Sequence, residues 1–293
     1  LHFTIHSFPT RRSSDLEKKE DIKHTINILR HLGRDEIKEH SKKKYGEPSK
    51  ELVQHAKDII QKLPNERIYR YKGSEKVKDE IHDILENHGL QDWDVRLGKK
   101  YLTTVYPDDK EIHICERRKF TKNDPKRLAV HEVGVHVLRR YNGKQQPFNI
   151  FKTGLSNYLA TEEGLALFCE QMTESVSPNH YRDYAGRVIA VKTVCQGKTF
   201  RDTYEILKNY GFKEENAFTL TMRAHRGNGY VKDHVYLKGY RKVRDLYLNT
   251  NDFMYLYTGK IGIRHIPKVK SLIQKGILQK PKTIPLFLKE MKR

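Results

Sequence analysis

Two histidines five residues apart constrain this chain more than any other feature. His131-Glu132-Val133-Gly134-Val135-His136 lies in a segment whose apolar residues, Leu128, Val130, Val133 and Val137, recur at helical spacing. The segment opens at Asp124-Pro125, with proline near a first helical position, and is expected to run to about Tyr141, where Asn142-Gly143 reads as a stop. In an ordinary α-helix, residues four apart are separated by about 40° around the axis and residues five apart by about 140°. Two imidazoles at the wider separation can hardly share one ligand. A π turn, closed by i→i+5 hydrogen bonds, holds more residues and brings positions 131 and 136 back towards one face. Gly134, with no Cβ, eases that deformation. The spacing therefore predicts a widened turn over 131–136; the plain alternative is two partly buried helix histidines and a surface glutamate.

A second motif, Thr161-Glu162-Glu163-Gly164-Leu165-Ala166, places Glu163 27 residues beyond His136. Thr161 is a good N-cap, and acids in a first helical turn are favoured by the helix dipole, which accounts for both glutamates without a ligand. The pattern also resembles the Asn-Glu-Gly arrangement by which some zinc peptidases supply a glutamate ligand, the glycine permitting close helix approach. By that analogy Glu163 is the ligand and Glu162 is not. Two imidazoles, one carboxylate and an open fourth position make a catalytic zinc set, with Glu132 beside His131 as the acceptor of a proton from water. A structural zinc site would more often close with cysteine, and Cys115, Cys169 and Cys195 lie outside both motifs. Odd in number and in no CxxC pair, they exclude a disulfide framework and fit a reducing, cytoplasmic compartment.

Elsewhere the pattern is largely helical. Ile22, Ile26, Leu29 and Leu32, then Leu52, Ala56, Ile59 and Ile60 after the break at Gly46-Glu47-Pro48, predict two or three helices over 18–62. Val77, Ile81, Ile84 and Leu85 predict another, with Gly89 as its C-terminal cap. Residues 94–97, 101–106 and 111–115 are short runs rich in Val, Ile, Tyr and Thr that read as strands, the last two joined by a hairpin at 107–110. Helices are expected again from Thr161 to about 174, over 181–195 and 200–210, and through most of the C-terminal third. The expectation is an α+β fold, mostly helical, with a small sheet, in one compact unit. Residues 6–16 read like one frame of a common sequencing-adapter oligonucleotide, so 1–16 are set aside as non-native and the chain is expected to be N-terminally truncated.

Lys+Arg 57 against Asp+Glu 37 gives a formal charge of +20, of which residues 1–16 supply one unit. Such a chain attracts acidic partners, whether acidic protein tails or nucleic acid. The basic residues are dispersed, however, with no recognisable nucleic-acid-binding motif. A polyanion-binding protein, or a regulatory protein with a non-catalytic metal site, stands as the rival to an enzyme. With a mean hydropathy of −0.80 and no apolar run near the roughly 18 residues a span requires, a transmembrane helix is excluded.

Further segments accompany the two motifs: Lys44-Tyr45-Gly46-Glu47-Pro48, the strand region 93–115, Arg223-Ala224-His225-Arg226-Gly227, Lys232-Asp233, Tyr236-Leu237-Lys238-Gly239, Gly259-Lys260-Ile261 and Gly276-Ile277-Leu278. Over about 17–290 the chain resembles the family of microtubule-associated tyrosine carboxypeptidases, whose bacterial members are named as flavohaemoglobin expression-modulating proteins with a QEGLA motif. The resemblance implies a single zincin-like metallopeptidase domain over 17–293, with a small sheet beside the HExxxH helix. It implies His131, His136 and Glu163 as zinc ligands and Glu132 as catalytic acid/base. Glu162 stands where the motif's name has Gln, a change expected to matter little for the metal. The implied activity is removal of a C-terminal Tyr or Phe from a peptide or protein, an acidic tail among them. A carboxypeptidase needs a cation for the substrate's terminal carboxylate, for which Arg223, Arg226 and Lys232 are the candidates. Tyr230, His225 and His234 are candidate donors to a developing oxyanion.

Overall fold

The computed structural model describes residues 9–99 and 103–290. Three helices come first, α1 (Pro9–Arg30), α2 (Glu36–Tyr45) and α3 (Lys50–Lys62); α1 begins inside the segment set aside above. A two-residue strand β1 (Tyr71–Lys72) leads to α4 (Ser74–Asn87), and Gly89 follows with φ +70°, as a helix C-terminus demands. Then the period changes to that of strands: β2 (Asp94–Gly98), β3 (Thr104–Tyr106), β4 (Glu111–Cys115) and β5 (Lys119–Phe120). β4 is central, parallel to β2 and antiparallel to β3, while β1 and β5 form a separate antiparallel pair. Lys110, with φ 54°, turns the β3–β4 hairpin where the sequence places it; positions 101–102 of the expected second strand lie outside the described residues.

The inward residues of the sheet, Val95, Ile112 and Ile114, join Val77, Ile81 and Leu85 of α4 in the core. Helix α4 packs in turn on α5 (Asp124–His131), so the sheet buttresses the motif helix through one helical layer. Next come α6 (Leu138–Lys144), α7 (Ile150–Thr153), α8 (Leu159–Met172), α9 (Pro178–Cys195), α10 (Phe200–Asn209), α11 (Glu214–His225), α12 (Val235–Asn249), α13 (Ile266–Gln274) and α14 (Leu286–Glu290). The fold is mostly helical with small sheets, in keeping with the α+β expectation.

Helix α8 is the centre of this arrangement: every residue from 161 to 170 is buried. It lies against α12 at a glycine pair. A Cβ on Gly164 would stand 2.1 Å from the Gly239 carbonyl carbon, and one on Gly239 would stand 1.6 Å from the Ala160 oxygen. Only glycine at both positions permits this approach, which is the role that the sequence suggests for Gly164.

Two helix boundaries depart from expectation. Helix α8 begins at Leu159, so Thr161 is already inside it; its buried hydroxyl accepts the Ile263 N–H at 3.1 Å instead of capping its own helix. Asn142-Gly143 does not stop the motif helix either, which continues to Lys144. Asn142 is instead a buried side chain bonded to the backbone of Lys282 and Thr283, and Gly143 lies where a Cβ would meet the Phe151 carbonyl at 2.3 Å. All three cysteines are free. Among the described residues no helix is long and apolar enough to cross a membrane.

Candidate metal centre

Between α5 and α6 the backbone widens into a π segment over Glu132–Val137, with the Leu138 N–H donating to the Val133 carbonyl five residues back. The buried Tyr257 hydroxyl donates to the Gly134 carbonyl at 3.1 Å, supplying a partner from outside the turn. A Cβ on Gly134 would make only ordinary contacts with Phe287 and Val130. Glycine therefore contributes backbone freedom here and not clearance.

The widened turn brings His131 and His136 together, with ring centroids 4.9 Å apart. Glu163 faces both from α8: its Oε2 is 3.7 Å from His131 Nε2 and 3.9 Å from His136 Nε2. One potential ligand atom from each of the three side chains lies within 4.8 Å of the others. Glu163 Oε2 is buried without a hydrogen-bond partner, whereas Oε1 accepts from Lys232 Nζ at 3.1 Å.

Each histidine is fixed from behind by a buried carboxylate. His131 Nδ1 lies 2.7 Å from Glu170 Oε1, and His136 Nδ1 lies 2.9 Å from Glu162 Oε1. A carboxylate in that place holds a proton on Nδ1 and turns Nε2 forward, the orientation typical of metal-binding imidazoles. Glu170 is braced by Arg127 at 3.4 Å and the Tyr184 hydroxyl at 3.5 Å, and Arg127 is joined to Asp124 at 2.8 Å. Glu162 accepts from Arg139 at 2.6 Å and Lys260 at 2.8 Å, and Arg139 also donates to the carbonyls of Leu256 and Ile261.

These partners set the electrostatics. Burial alone would raise the Glu163 carboxyl, but His131, Lys232 and His136 hold it well below the usual range. Glu162 is likewise held low against burial, chiefly by Lys260 and Arg139. His131 moves the other way: burial would lower it, yet Glu163 and Glu170 push it up to about 10. A pocket that stabilises positive charge on a buried imidazole, and aims an orphaned carboxylate oxygen at it, is suited to a cation.

Glu162 does lie in the first turn of α8, but helix-dipole stabilisation is not all that the two glutamates do, since they are 2% and 5% exposed and ion-paired. Sequence reasoning passed over Glu170, Arg127, Arg139, Lys260 and Tyr257, and it gave Glu162 no work. Spacing held part of the signal: Glu170 follows Glu163 by seven residues, Arg127 precedes His131 by four and Arg139 follows His136 by three, all same-face helical separations.

Glu132 is half-buried on the π turn, and among the described residues nothing hydrogen-bonds its carboxylate. Lys232 reaches the triad through Glu163. Arg223 and Arg226 are both committed to the buried Asp233, at 2.6 and 3.1 Å. The Tyr230 and Tyr45 hydroxyls share a hydrogen bond at 2.8 Å. His225 bonds the Thr203 hydroxyl, and His234 bonds the Val231 carbonyl and is lowered to about 4, mainly by burial.

Residues 15–293 match the sequence family described as microtubule-associated tyrosine carboxypeptidase. Among curated proteins, Microtubule-associated tyrosine carboxypeptidase 1 of Rattus norvegicus is 28% identical over 177 residues, covering 56% of this chain and 36% of the rat protein. The matched stretch thus spans about a third of that relative's length.

Proposed function

This chain belongs to the microtubule-associated tyrosine carboxypeptidase family, and on that footing we propose that it is a zinc-dependent, zincin-like carboxypeptidase. It would remove a C-terminal tyrosine or phenylalanine from a peptide or protein, acidic tails included. The observation that carries this reading is the convergence of two carboxylate-anchored imidazoles on an unpartnered Glu163 oxygen. Donors around a tetrahedral zinc stand about 3.4 Å apart; the two carboxylate–imidazole separations, 3.7 and 3.9 Å, exceed that by a few tenths of an ångström, and all three donors lie within 4.8 Å of one another. The donor set leaves one position open, as catalytic zinc requires, and zinc held there supplies Lewis acidity toward a water and a carbonyl.

The remaining work falls to the chain's own side chains. Glu132, adjacent to His131 and without a competing hydrogen bond among the described residues, takes the proton from the attacking water and returns it to the departing amine. Lys232 restrains the outer oxygen of Glu163, keeping the inner one aimed between the imidazoles. Arg223 and Arg226 clamp Asp233 and so hold the segment that delivers Lys232, while Tyr230 ties that segment to Tyr45 at the end of α2. The three free cysteines fit a reducing, cytoplasmic setting.

The test begins with metal analysis of the full chain. About one zinc per wild-type chain, lost in His136→Ala and Glu163→Ala variants of equal foldedness, is expected. Peptides ending in free Tyr or Phe should then be cleaved and their C-terminal amides spared. A well-folded wild type that takes up no zinc, or that binds nucleic acid equally well with and without metal, would reject this reading.

A further inference from the structure

A carboxypeptidase must hold its substrate's terminal carboxylate about one residue's reach, roughly 3.5 Å, beyond the scissile carbonyl. The cation that does so belongs one side chain beyond the metal ligands. The basic groups that the sequence offers for this task each hold a carboxylate already: Lys232 bonds Glu163, and Arg223 and Arg226 bond the two oxygens of Asp233. Arg127, Arg139 and Lys260 are likewise committed to the carboxylates behind the histidines.

Arg187, on α9, is different. Its guanidinium carbon packs over two rings, 4.5 Å from the centre of Tyr184 and 4.9 Å from the centre of Tyr236. Both tyrosines adjoin groups that support the triad. Tyr184 reaches Glu170 Oε1 with its hydroxyl at 3.5 Å, and the Tyr236 ring lies 5.9 Å from Lys232 Nζ, the group bonded to Glu163. Among the described residues no carboxylate lies within ion-pair distance of Arg187, and its buried Nε has no hydrogen-bond partner. Asp233 and Asp183 are near enough to influence it electrostatically, but Asp233 is bonded to Arg223 and Arg226 and Asp183 accepts from the Asn216 amide at 2.6 Å. A guanidinium to which no carboxylate is hydrogen-bonded, its plane braced by aromatic rings, is prepared for a planar anion from outside.

We infer that Arg187 is the residue that binds the substrate's terminal carboxylate, its guanidinium presented beside the triad by Tyr184 and Tyr236. This rests on the carboxypeptidase reading for its biological sense, yet the anion site can be tested without turnover. The probe is N-acetyl-tyrosine against N-acetyl-tyrosinamide, titrated calorimetrically into the zinc-supplied full chain. The acid is expected to bind wild type about 10- to 100-fold more tightly than the amide, the range for a hydrogen bond to a charged group. That preference should fall below about threefold in Arg187→Gln and survive in part in Arg187→Lys, which keeps the charge without the fork. On cleavable peptides the same loss should enter through KM for the free acid, leaving the zinc content unchanged.

A wild type indifferent to acid or amide overturns the assignment, as does an Arg187→Gln or Arg187→Lys protein that discriminates as wild type does. If Arg187→Gln does not fold, the lysine variant decides: undiminished preference for the acid rejects Arg187, and a reduced one supports it. Acid binding that depends on Arg187 in a protein with no hydrolytic activity would reject the peptidase reading and leave the carboxylate site standing.

Discussion

Replacing Glu162 by glutamine removes one oxygen's worth of acceptor and one negative charge from a buried cluster, and the cost follows from the contacts. The wild-type carboxylate takes His136 and Lys260 on Oε1 and Arg139 on Oε2. An amide has a single acceptor oxygen, so its NH2 group must face either Arg139 or the pair His136 and Lys260, donor against donor. Breaking a buried ion pair on one side costs about 3–5 kcal/mol. Arg139 keeps its bonds to the Leu256 and Ile261 carbonyls, which places the expected loss near the lower end, about 3 kcal/mol. The assay is denaturant unfolding of the chelator-treated protein, with the slope unchanged between wild type and variant.

The pH dependence carries its own sign. Glu162 is held below its unfolded value of 4.5, so its stabilisation is full above that pH and is lost as the pH falls toward the folded value. The gap between wild type and Glu162→Gln should therefore be widest near neutrality and narrow below about pH 4.5. Adding Lys260→Met to the variant removes the charge left without its partner and should recover part of the loss. A Glu162→Gln protein within about 0.5 kcal/mol of wild type at pH 7 would refute the reasoning; so would a gap that stays constant into acid.

Tyr257→Phe leaves the Gly134 carbonyl without its 3.1 Å donor and is expected to cost about 1–3 kcal/mol in unfolding experiments, together with weaker metal binding as the π turn loosens. Gly239→Ala forces a methyl group onto the Ala160 carbonyl; because backbone cannot step aside as a side chain can, the loss in thermal or denaturant stability should reach about 3 kcal/mol or more. Glu132→Gln should retain its zinc and its melting temperature while kcat falls by about 10²–10⁴, and a variant as active as wild type would remove Glu132 from the chemistry. Chelation should lower the melting temperature and zinc restore it, by about 2.7 kcal/mol when zinc is at a hundred times its Kd; Glu163→Ala should be insensitive to both.

The parts of this protein that were legible in its sequence are those whose causes are local. On an ordinary helix His131 and His136, five residues apart, could not meet at one ligand, so a shared site required a widened turn, which angular arithmetic could supply. Short runs rich in Val, Ile, Tyr and Thr on either side of 107–110 gave the β3–β4 hairpin, and Gly164 announced the close approach of another helix, though not which one. Local signals misled where a tertiary contact had a stronger claim on the same residue. Thr161 is a sound N-cap by composition, but its hydroxyl serves Ile263, about a hundred residues on; Asn142 and Gly143 look like a helix stop but serve the 282–283 backbone and Phe151. Naming Arg223 and Arg226 as candidate carboxylate binders followed from residue type, and charge type cannot reveal that both hold the buried Asp233.

The same reasoning explains why a widened turn is stable in this chain at all. A π segment gives up the regular hydrogen-bond ladder, and a buried pair of opposite charges behind a ligand is costly to desolvate. Both demands are met by one short stretch, 256–261. The Leu256 and Ile261 carbonyls accept from Arg139, the Tyr257 hydroxyl donates to the Gly134 carbonyl, and Lys260 neutralises Glu162. The turn that aligns the two imidazoles and the carboxylate that orients the second of them are thus held by consecutive parts of a single clasp. Changes within 256–261 should consequently disturb the geometry of His131 and His136 together with stability, although none of these residues belongs to the triad of His131, His136 and Glu163. A substitution at Tyr257 or Lys260 that altered stability with no effect on metal affinity would separate the two and break the clasp into unrelated contacts.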